Sequence, residues 1–400
     1  MESIRLRDIS LGVCLLASAP AQAADWTAKW ALRLRHEQVD DAAFPSAADA
    51  NSARLRAAIR GSFGPGLSVL VEGEAIATSG DHNSGANGRS GLPNIADPGG
   101  TELNQAWLGW RSARSGVTVG RQRIAWDNQR WIGNVGWRQN EQTFDALLLE
   151  ARPGATTSLE LAWLDRVHRV ASDAALDPLA RERALDSYFM RGAWTRGADT
   201  VAAYAYLHDD RSVATASTAT TGLRWVHGGK RWSWTLEAAR QRDHADNPRR
   251  FSHAYWLVEP SVQLHGLTWK LGYEKLAGDG TTALQTPLAT LHVFNGWADR
   301  FTTTPATGLE DAHASVGGKA CGFTWSAAWH DYRADAGSLR YGIEWNLSVG
   351  RAFSPRWNGL LKFADYRADG FGRNVRKLWL QFEHSGSKTL CSAGCRRLLQ

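Results

Sequence analysis

The chain has 400 residues, a formal net charge of +6, and 20 tryptophans against only 8 tyrosines. No apolar run beyond the N-terminus approaches the ~20 residues that a membrane-spanning helix needs, which excludes a helical membrane protein. The basic excess is spread along the chain and cysteines are few, so the composition disfavours a nucleic-acid-binding protein and excludes a small disulfide-stapled module.

The N-terminus has the layout of an export signal. Arg5 and Arg7 precede an apolar stretch from Ile9 to Ala17, and Ala21-Gln22-Ala23 has the small-x-small form that signal peptidase cleaves. The sequence therefore predicts a cleaved signal peptide over residues 1–23 and a mature chain that leaves the cytoplasm. In that setting we expect an anionic partner for this basic protein and no nucleic-acid partner.

Alternating residues predict strands along the mature chain. In the first strand, Trp26, Trp30 and Leu32 fall on one face, and Arg33 and Arg35 fall on the other. Further segments with the same period of two begin near residues 53, 67, 232, 323 and 341. Strands of about ten residues with one apolar and one polar face are typical of transmembrane barrels. The predicted fold class is therefore an all-β, antiparallel transmembrane β-barrel.

The spacing of the predicted strands matches an outer-membrane barrel, in which short periplasmic turns alternate with longer external loops. Longer gaps are predicted near residues 37–51, 79–102, 126–142, 168–186, 209–219, 240–251, 275–308, 332–339 and 367–374. Short turns are predicted near residues 64–66, 112–116, 152–157, 196–199, 227–230, 264–266, 318–322 and 351–356. These connections join about eighteen strands with both chain ends on the periplasmic side. A soluble exported sandwich would show the same strand period, but the loop alternation and the tryptophan excess favour the barrel.

Two long strings resemble the alginate export family of outer-membrane barrels. Gly120–Ala146 reads GRQRIAWDNQRWIGNVGWRQNEQTFDA and resembles the central motif of that family. Gly272–Gly280 (GYEKLAGDG) and Gln285–Gly317 (QTPLATLHVFNGWADRFTTTPATGLEDAHASVG) form a second block, and GEA at Gly73–Ala75 matches in order. The resemblance implies a large antiparallel barrel whose arginine-rich lumen passes an anionic polysaccharide, an alginate-like polyuronate, outward by passive diffusion. The apolar strand faces imply outer-membrane lipid as a further partner, and the sequence leaves open whether a periplasmic export scaffold is another.

The resemblance ends near the C-terminus. A barrel of this family normally finishes on an aromatic residue after its last strand. Here the last predicted strand contains Leu378, Leu380 and Phe382, but residues 385–400 follow it. We therefore predict a barrel over residues 24–384 and a tail over residues 385–400 whose place in the protein the sequence leaves open.

Charged residues at strand positions away from the apolar faces define the predicted substrate path. An arginine that faces lipid at mid-membrane costs roughly 2–4 kcal/mol, which favours an inward orientation. The predicted lumenal residues are Arg33, Arg35, Arg54, Arg56, Arg60, Arg121, Arg123, Arg224, Glu72, Glu74 and Glu237. In this interpretation the arginines attract a polyanion, and the glutamates temper the attraction so that each contact can release. The alternative is that the two sets pair with each other and fill a closed lumen.

Two motif segments are predicted to shape the pore. Their candidate residues are Arg130, Gly133, Asn134, Trp137, Arg138 and Asp145 in the first segment and Trp297, Asp299 and Arg300 in the second. Gly133 and Gly136 permit close backbone approach or a positive φ. The alternatives are a structural corner for the first segment and packing over the barrel rim for the second.

The sequence gives little support for catalysis. It lacks the nucleophile-elbow, zinc-protease, Walker A and dinucleotide signatures, and its histidines do not pair at helix-facing ligand spacing. We therefore expect no enzyme, no cofactor and no metal site. The alternatives to a polysaccharide channel are a general or carbohydrate porin for small solutes, an outer-membrane enzyme that uses paired acids such as Glu72 and Glu74, and an adhesin that acts through its loops.

Overall fold

The computed structural model describes residues 25–391. The predicted signal peptide, residues 1–23, and residues 392–400 of the predicted tail lie outside the described residues. The strands, numbered in chain order, are β1 (Asp25–Asp41), β2 (Ala48–Phe63), β3 (Leu67–Ser79), β4 (Gly100–Arg111), β5 (Ser115–Gln122), β6 (Thr143–Ala151), β7 (Thr157–His168), β8 (Glu182–Arg196), β9 (Asp199–His208), β10 (Thr218–Gly228), β11 (Trp232–Asp243), β12 (Ser252–Leu264), β13 (Leu267–Leu276), β14 (Leu309–Ala320), β15 (Phe323–Arg333), β16 (Arg340–Ala352), β17 (Trp357–Ala368) and β18 (Val375–Cys391). One short helix, α1 (Pro178–Arg181), and two 3₁₀ turns, Ala214–Ala216 and Leu291–Val293, also occur. Between residues 25 and 391, no helix combines the length and the apolar character that crossing a membrane requires.

The sheet closes on itself. Each strand pairs in antiparallel fashion with the next along the chain, and β18 pairs with β1 through registers such as Phe382 with Leu34. Closure leaves no unpaired edge, which is the condition for a sheet to cross a bilayer. The predicted antiparallel barrel of eighteen strands is confirmed.

The connections alternate in length as predicted. The short turns comprise residues 64–66, 112–114, 152–156, 197–198, 229–231, 265–266, 321–322 and 353–356. The longer connections comprise residues 42–47, 80–99, 123–142, 169–181, 209–217, 244–251, 277–308, 334–339 and 369–374. Because short turns mark the periplasmic end of such barrels, the longer connections lie at the external end.

Side chains alternate between lipid and lumen along each strand. In β2, Ser52 and Arg54 are buried, whereas Leu55 and Ile59 on the opposite face are each 49% exposed. The exposed apolar positions form the surface that meets lipid, and the buried core lies inside the barrel.

The predicted C-terminal boundary of the barrel is wrong by several residues. Strand β18 continues through residues 385–391, where Gly386 pairs with Trp30 and Cys391 with Trp26. The indole of Trp30 covers Gly386 so closely that an added Cβ would overlap the ring. A long β1 supplies backbone partners for this extension, so these residues belong to the barrel wall and not to a tail.

Tryptophan serves two purposes in the fold. The exposed indoles close to the short turns belong to Trp110, Trp194, Trp225, Trp232, Trp269 and Trp357. Such a ring suits a membrane interface because its body is apolar and its N–H is polar. A second set, which includes Trp131 and Trp379, is buried in the barrel interior. The tryptophan excess therefore reflects interior packing as well as an interfacial belt.

Candidate functional site

Two external connections fold into the barrel and meet there. Residues 123–142 and 277–308 are joined by a parallel bridge between Ile132 and Leu288, both almost fully buried. The Gly133 amide donates to the Leu288 carbonyl at 2.9 Å, and the Thr290 amide donates to the Gln129 carbonyl at 3.0 Å. We call these two connected segments the lumen bridge.

Gly133 lies where the two segments of the lumen bridge approach most closely. A Cβ at this position would overlap the Thr290 hydroxyl and lie 2.7 Å from the Gln129 Cβ. At Gly136 the nearest atom to such a Cβ would be Asn134 Nδ2 at 3.4 Å, an ordinary contact. Gly133 is therefore needed for close approach and not for a positive φ, which occurs nearby at Val135 instead.

Asn134 stabilises the first segment of the lumen bridge through hydrogen bonds inside that segment. Its carbonyl accepts from the Gln142 amide at 2.7 Å, and its side-chain amide donates to Glu141 at 2.8 Å. Gln142 in turn donates from its side chain to the carbonyls of Gly133 and Leu288, both at 2.9 Å. These bonds satisfy backbone groups that would otherwise be buried without partners.

Arg138 connects the lumen bridge to the barrel wall. Its guanidinium lies 3.1 Å from a carboxylate oxygen of Glu37, 3.8 Å from Asp97 and 3.7 Å from Asp299. Burial alone would lower the pKa of Arg138, but these three carboxylates outweigh it and raise the pKa above its usual value. One cation thus holds together β1, the 80–99 connection and the second segment of the lumen bridge.

Trp137 stacks on a buried histidine. The rings of Trp137 and His292 are 4.5 Å apart and nearly parallel, and Lys362 Nζ lies 4.0 Å from the Trp137 ring. His292 donates from Nδ1 to Asp299 at 2.8 Å and accepts at Nε2 from Lys362 at 2.8 Å, a pattern that fits a neutral imidazole. Burial lowers the pKa of His292 to about 3, although Asp299 acts in the opposite direction.

The remaining candidates of the second segment also make wall contacts. Asp299 accepts from Lys377 at 2.7 Å, and Arg300 pairs with Asp41 at 2.7 Å. The Trp297 ring lies 3.8 Å from Lys362 Nζ. The segment therefore lies inside the barrel and does not simply pack over its rim.

Arg130 joins the other side of the lumen bridge to β13. It forms an ion pair with Glu274 at 3.0 Å and donates to Asn295 Oδ1 at 2.9 Å. Its guanidinium also lies 4.6 Å from the Phe294 ring centre. Both segments are thus tied together and to the wall at this point.

Most predicted lumenal arginines face the interior and are paired with carboxylates. The pairs are Arg33 with Glu383 at 3.1 Å, Arg35 with Asp97 at 3.5 Å, Arg56 with Glu74 at 2.6 Å, Arg123 with Glu72 and Glu141, and Arg224 with Glu237. Glu237 also accepts from Trp131 at 2.7 Å and Tyr204 at 2.6 Å. Internal pairing, which the sequence left open as the alternative, therefore accounts for much of this charge.

Two of the predicted lumenal arginines, Arg54 and Arg60, have no carboxylate within 4 Å among residues 25–391. Arg54 is buried beneath the first segment of the lumen bridge and donates to the Gln139 carbonyl at 3.3 Å. Arg60 is exposed on the lumen side of the wall. It borders a cavity of about 700 Å³ near the short turns, together with Gln105, Trp107 and Gln122. Of the two, Arg60 is the one that is accessible at the end of the barrel that carries the short turns.

Arg121 and Asp145 lie on the outer wall, which contradicts their predicted placement. They are cross-strand neighbours, joined at 3.0 Å, and Asp145 also contacts His168 at 3.0 Å. Asp145 shares its strand face with the exposed Leu149, whereas Arg123 follows the end of β5 at Gln122 and turns inward. Arg121 and Arg123 would share a face only if β5 continued past Gln122, whereas the alternation of faces stops where the strand ends. Near the membrane boundary an outward charge costs only about 0–1 kcal/mol.

Several interior residues were missed by sequence reasoning. Glu37 and Asp97 were assigned to loops but are buried, and Lys362 carried no recognised pattern. Glu141 and His292 lay inside the two quoted motif strings, which was their only sequence signal. Their roles depend on contacts between segments far apart in the chain.

Comparison with known proteins places the barrel in context. The family described as alginate export matches residues 30–315. Among solved structures, Pseudomonas aeruginosa OccK3 (OpdO) has a TM-score of 0.68 and 14% identity, covering 90% of this chain and 96% of that chain. P. aeruginosa OpdK determined with vanillate has a TM-score of 0.70 and 14% identity, covering 91% and 99%. Acinetobacter baumannii OccAB2 has a TM-score of 0.71 and 13% identity, covering 90% and 98%. At these identities the likeness shows a shared fold. No curated protein sequence matches the chain.

Proposed function

The chain belongs to the alginate export family and has the fold of an outer-membrane channel, and on this premise we propose that it passes an anionic polysaccharide of the polyuronate kind outward by passive diffusion. The observation that carries the proposal is Arg60, an arginine without a carboxylate partner within 4 Å among residues 25–391, beside the cavity at the periplasmic end. A polymer leaving the periplasm would enter there. Low-dielectric walls strengthen the field of an uncompensated charge.

The paired arginines have a secondary part in this proposal. An arginine next to a glutamate contributes little net field, but it offers N–H donors that a passing carboxylate can share briefly. Arg123, which borders the same cavity and contacts Glu72, is the clearest example. Weak successive contacts of this kind permit release as well as capture.

A second candidate function is a channel for small anionic solutes. The observation that favours it is the lumen bridge, because two segments that meet inside the barrel narrow the path. OpdK, one of the structurally similar proteins, was determined with vanillate, a small carboxylate. Both candidate functions require a path lined by cationic side chains, and they differ in the size of the solute that passes.

Other functions receive less support. Glu72 and Glu74 are both engaged by Arg56, at 3.9 and 2.6 Å, which favours a structural role over acid–base chemistry. An adhesin would act through its external connections, two of which are folded inward here. The proposal also includes export with cleavage of residues 1–23 and association of the barrel with a periplasmic export scaffold.

Purified protein in planar bilayers tests the proposal. Reversal potentials under a salt gradient should show anion preference in the wild type and a reduced preference in Arg60→Gln. Arg121→Gln, which removes the same charge from the outer wall, is the matched control and should leave selectivity unchanged. Cation preference in the wild type, or equal behaviour of the two variants, would refute the role of Arg60.

Size selectivity distinguishes the two candidates. A polyuronate added on the short-turn side should reduce the ion current at a lower sugar concentration than the monomeric uronate does. Equal effects of polymer and monomer would reject polysaccharide passage and leave the small-solute channel.

A further inference from the structure

A row of side chains crosses the interior wall of β12, β13, β14 and β15. The two-residue turn at 321–322 sets β14 against β15 so that His313 and His330 are directly opposite each other. On the other side His313 is opposite Gly272, and Glu259 lies beyond it on β12. Asp311 precedes His313 by two residues and therefore shares its face.

Gly272 makes room for this arrangement. The imidazole of His313 occupies the space that a side chain at position 272 would fill, since a Cβ there would overlap the ring. His313 thereby reaches across β13, and its Nε2 lies 3.4 Å from a Glu259 oxygen. Glu259 is itself held by Lys270 at 2.8 Å. Gly272 opens the second family-like block, so the quoted motif contributes directly to this geometry.

Asp311 lies at the centre of the group and is almost fully buried. His330 Nδ1 lies 2.9 Å from Asp311 Oδ1, and Asn295 donates to Asp311 Oδ2 at 3.1 Å. His313 Nδ1 lies 3.7 Å from Asp311 Oδ1, too far for a hydrogen bond, and it has no other hydrogen-bond partner among the described residues. One donor atom from each of Asp311, His313 and His330 lies within 4.8 Å of the other two.

We propose that Asp311, His313 and His330 bind a divalent transition-metal ion of the zinc class on the lumen wall. Two imidazoles and one carboxylate suit Zn²⁺ and its neighbours, whereas Mg²⁺ and Ca²⁺ prefer oxygen ligands. Tetrahedral coordination at about 2.0–2.2 Å needs donors roughly 3.4 Å apart, so small side-chain rotations complete the set. The fourth coordination position is left for water or for a solute oxygen.

The surroundings already supply the supporting contacts that metal ligands require. If His313 binds through its unpartnered Nδ1, its Nε2–H donates to Glu259, which fixes the tautomer and the ring orientation. Asn295 from the lumen bridge orients the Asp311 carboxylate in the same way. A metal ion would therefore also tie the second segment of the lumen bridge to the wall.

The competing explanation is that the two histidines serve only as hydrogen-bond partners of Asp311 and Glu259. It predicts no stoichiometric metal binding, whereas the proposal predicts one ion per chain. Dialysis of the detergent-folded, EDTA-treated protein against Zn²⁺, followed by metal analysis, distinguishes them. Co²⁺ gives a second readout, because tetrahedral nitrogen and oxygen coordination produces strong visible absorption.

Variants locate the ion. His313→Ala and His330→Ala should each weaken Zn²⁺ binding at least tenfold, and Asp311→Asn, which preserves side-chain shape, should do the same. His227→Ala is the matched control, because His227 contacts a single carboxylate, Asp199 at 2.9 Å, without a neighbouring histidine partner for a metal. It should bind as the wild type does.

Wild-type protein that takes up no stoichiometric Zn²⁺ would overturn the proposal, even if every variant failed to fold. Unchanged binding in folded His313→Ala would overturn it equally. Arg60→Gln should retain the ion, so a failure of the transport proposal is distinguishable from a failure of this one.

Discussion

Replacement of Arg138 by methionine should loosen the lumen bridge. Methionine keeps much of the side-chain volume but removes the cation that Glu37, Asp97 and Asp299 share, and two of these carboxylates are only 1% exposed. Removing one partner of a buried ion pair costs about 3–5 kcal/mol, since the remaining charge stays buried. If that cost destabilises only the folded-in state of the lumen bridge, the equilibrium constant for its opening rises by about a hundred-fold to a few thousand-fold.

Hydrogen exchange measured by mass spectrometry follows this opening directly. The amides to watch are those of Gln139, bonded to Asp97 at 2.8 Å, and Gln142, bonded to Asn134 at 2.7 Å. Peptides that contain them should exchange at least a hundred-fold faster in the variant, with strand peptides unchanged, and single-channel conductance should rise. Arg89→Met removes an exposed pair with Asp81, worth about 0–1 kcal/mol, and serves as the control. Equal protection in Arg138→Met and the wild type would refute the role of Arg138 as the link between bridge and wall.

Two further predictions concern the same bridge. Gly133→Val should force the two segments of the bridge apart at a cost of about 1–3 kcal/mol. The variant should lower the temperature of the heat-modifiable gel shift or alter the conductance, whereas Gly136→Val should do neither. Equal behaviour of the two variants would contradict the assignment of Gly133 to close approach. Acidification should favour opening of the lumen bridge. Burial lowers the pKa of His292 to about 3, so the imidazole is neutral in the folded-in state, whereas an exposed imidazole takes up a proton near pH 6.5. The folded-in state therefore loses stability as pH falls below about 6.5, by roughly 2 kcal/mol at pH 5, and bilayer recordings should show more frequent opening there. His292→Phe keeps a ring against Trp137 and should abolish this dependence; a pH response unchanged in the variant would assign it to another group.

Total charge is a poor guide to the field inside this barrel. Arg35, Arg56 and Arg123 each lie beside a carboxylate, so their contribution at a distance is largely cancelled. Arg60 has no such partner within 4 Å in the part of the chain that the structure describes. Selectivity is therefore expected to depend on position and pairing more than on the number of arginines.

The fold class was predictable from the sequence because strand alternation is a local property. In β2, the exposed Leu55 and Ile59 and the buried Arg54 occupy the faces that a period of two assigns to them. The alternation of short and long connections fixed the strand number and the end of the barrel at which the long connections lie. The motif that contains Gly133, Trp137 and Arg138 was also recognisable, and the segment does fold into the lumen.

Only the tertiary structure decided what the charged residues contact. Arg121 lies on the outward face of β5, where it pairs with Asp145, and the alternation of faces does not extend past the end of β5 at Gln122. The contact of Ile132 with Leu288, like the pairing of Arg138 with Glu37, joins segments more than a hundred residues apart. A sequence pattern describes the faces of one segment, whereas such contacts depend on how the closed barrel brings distant segments into one interior.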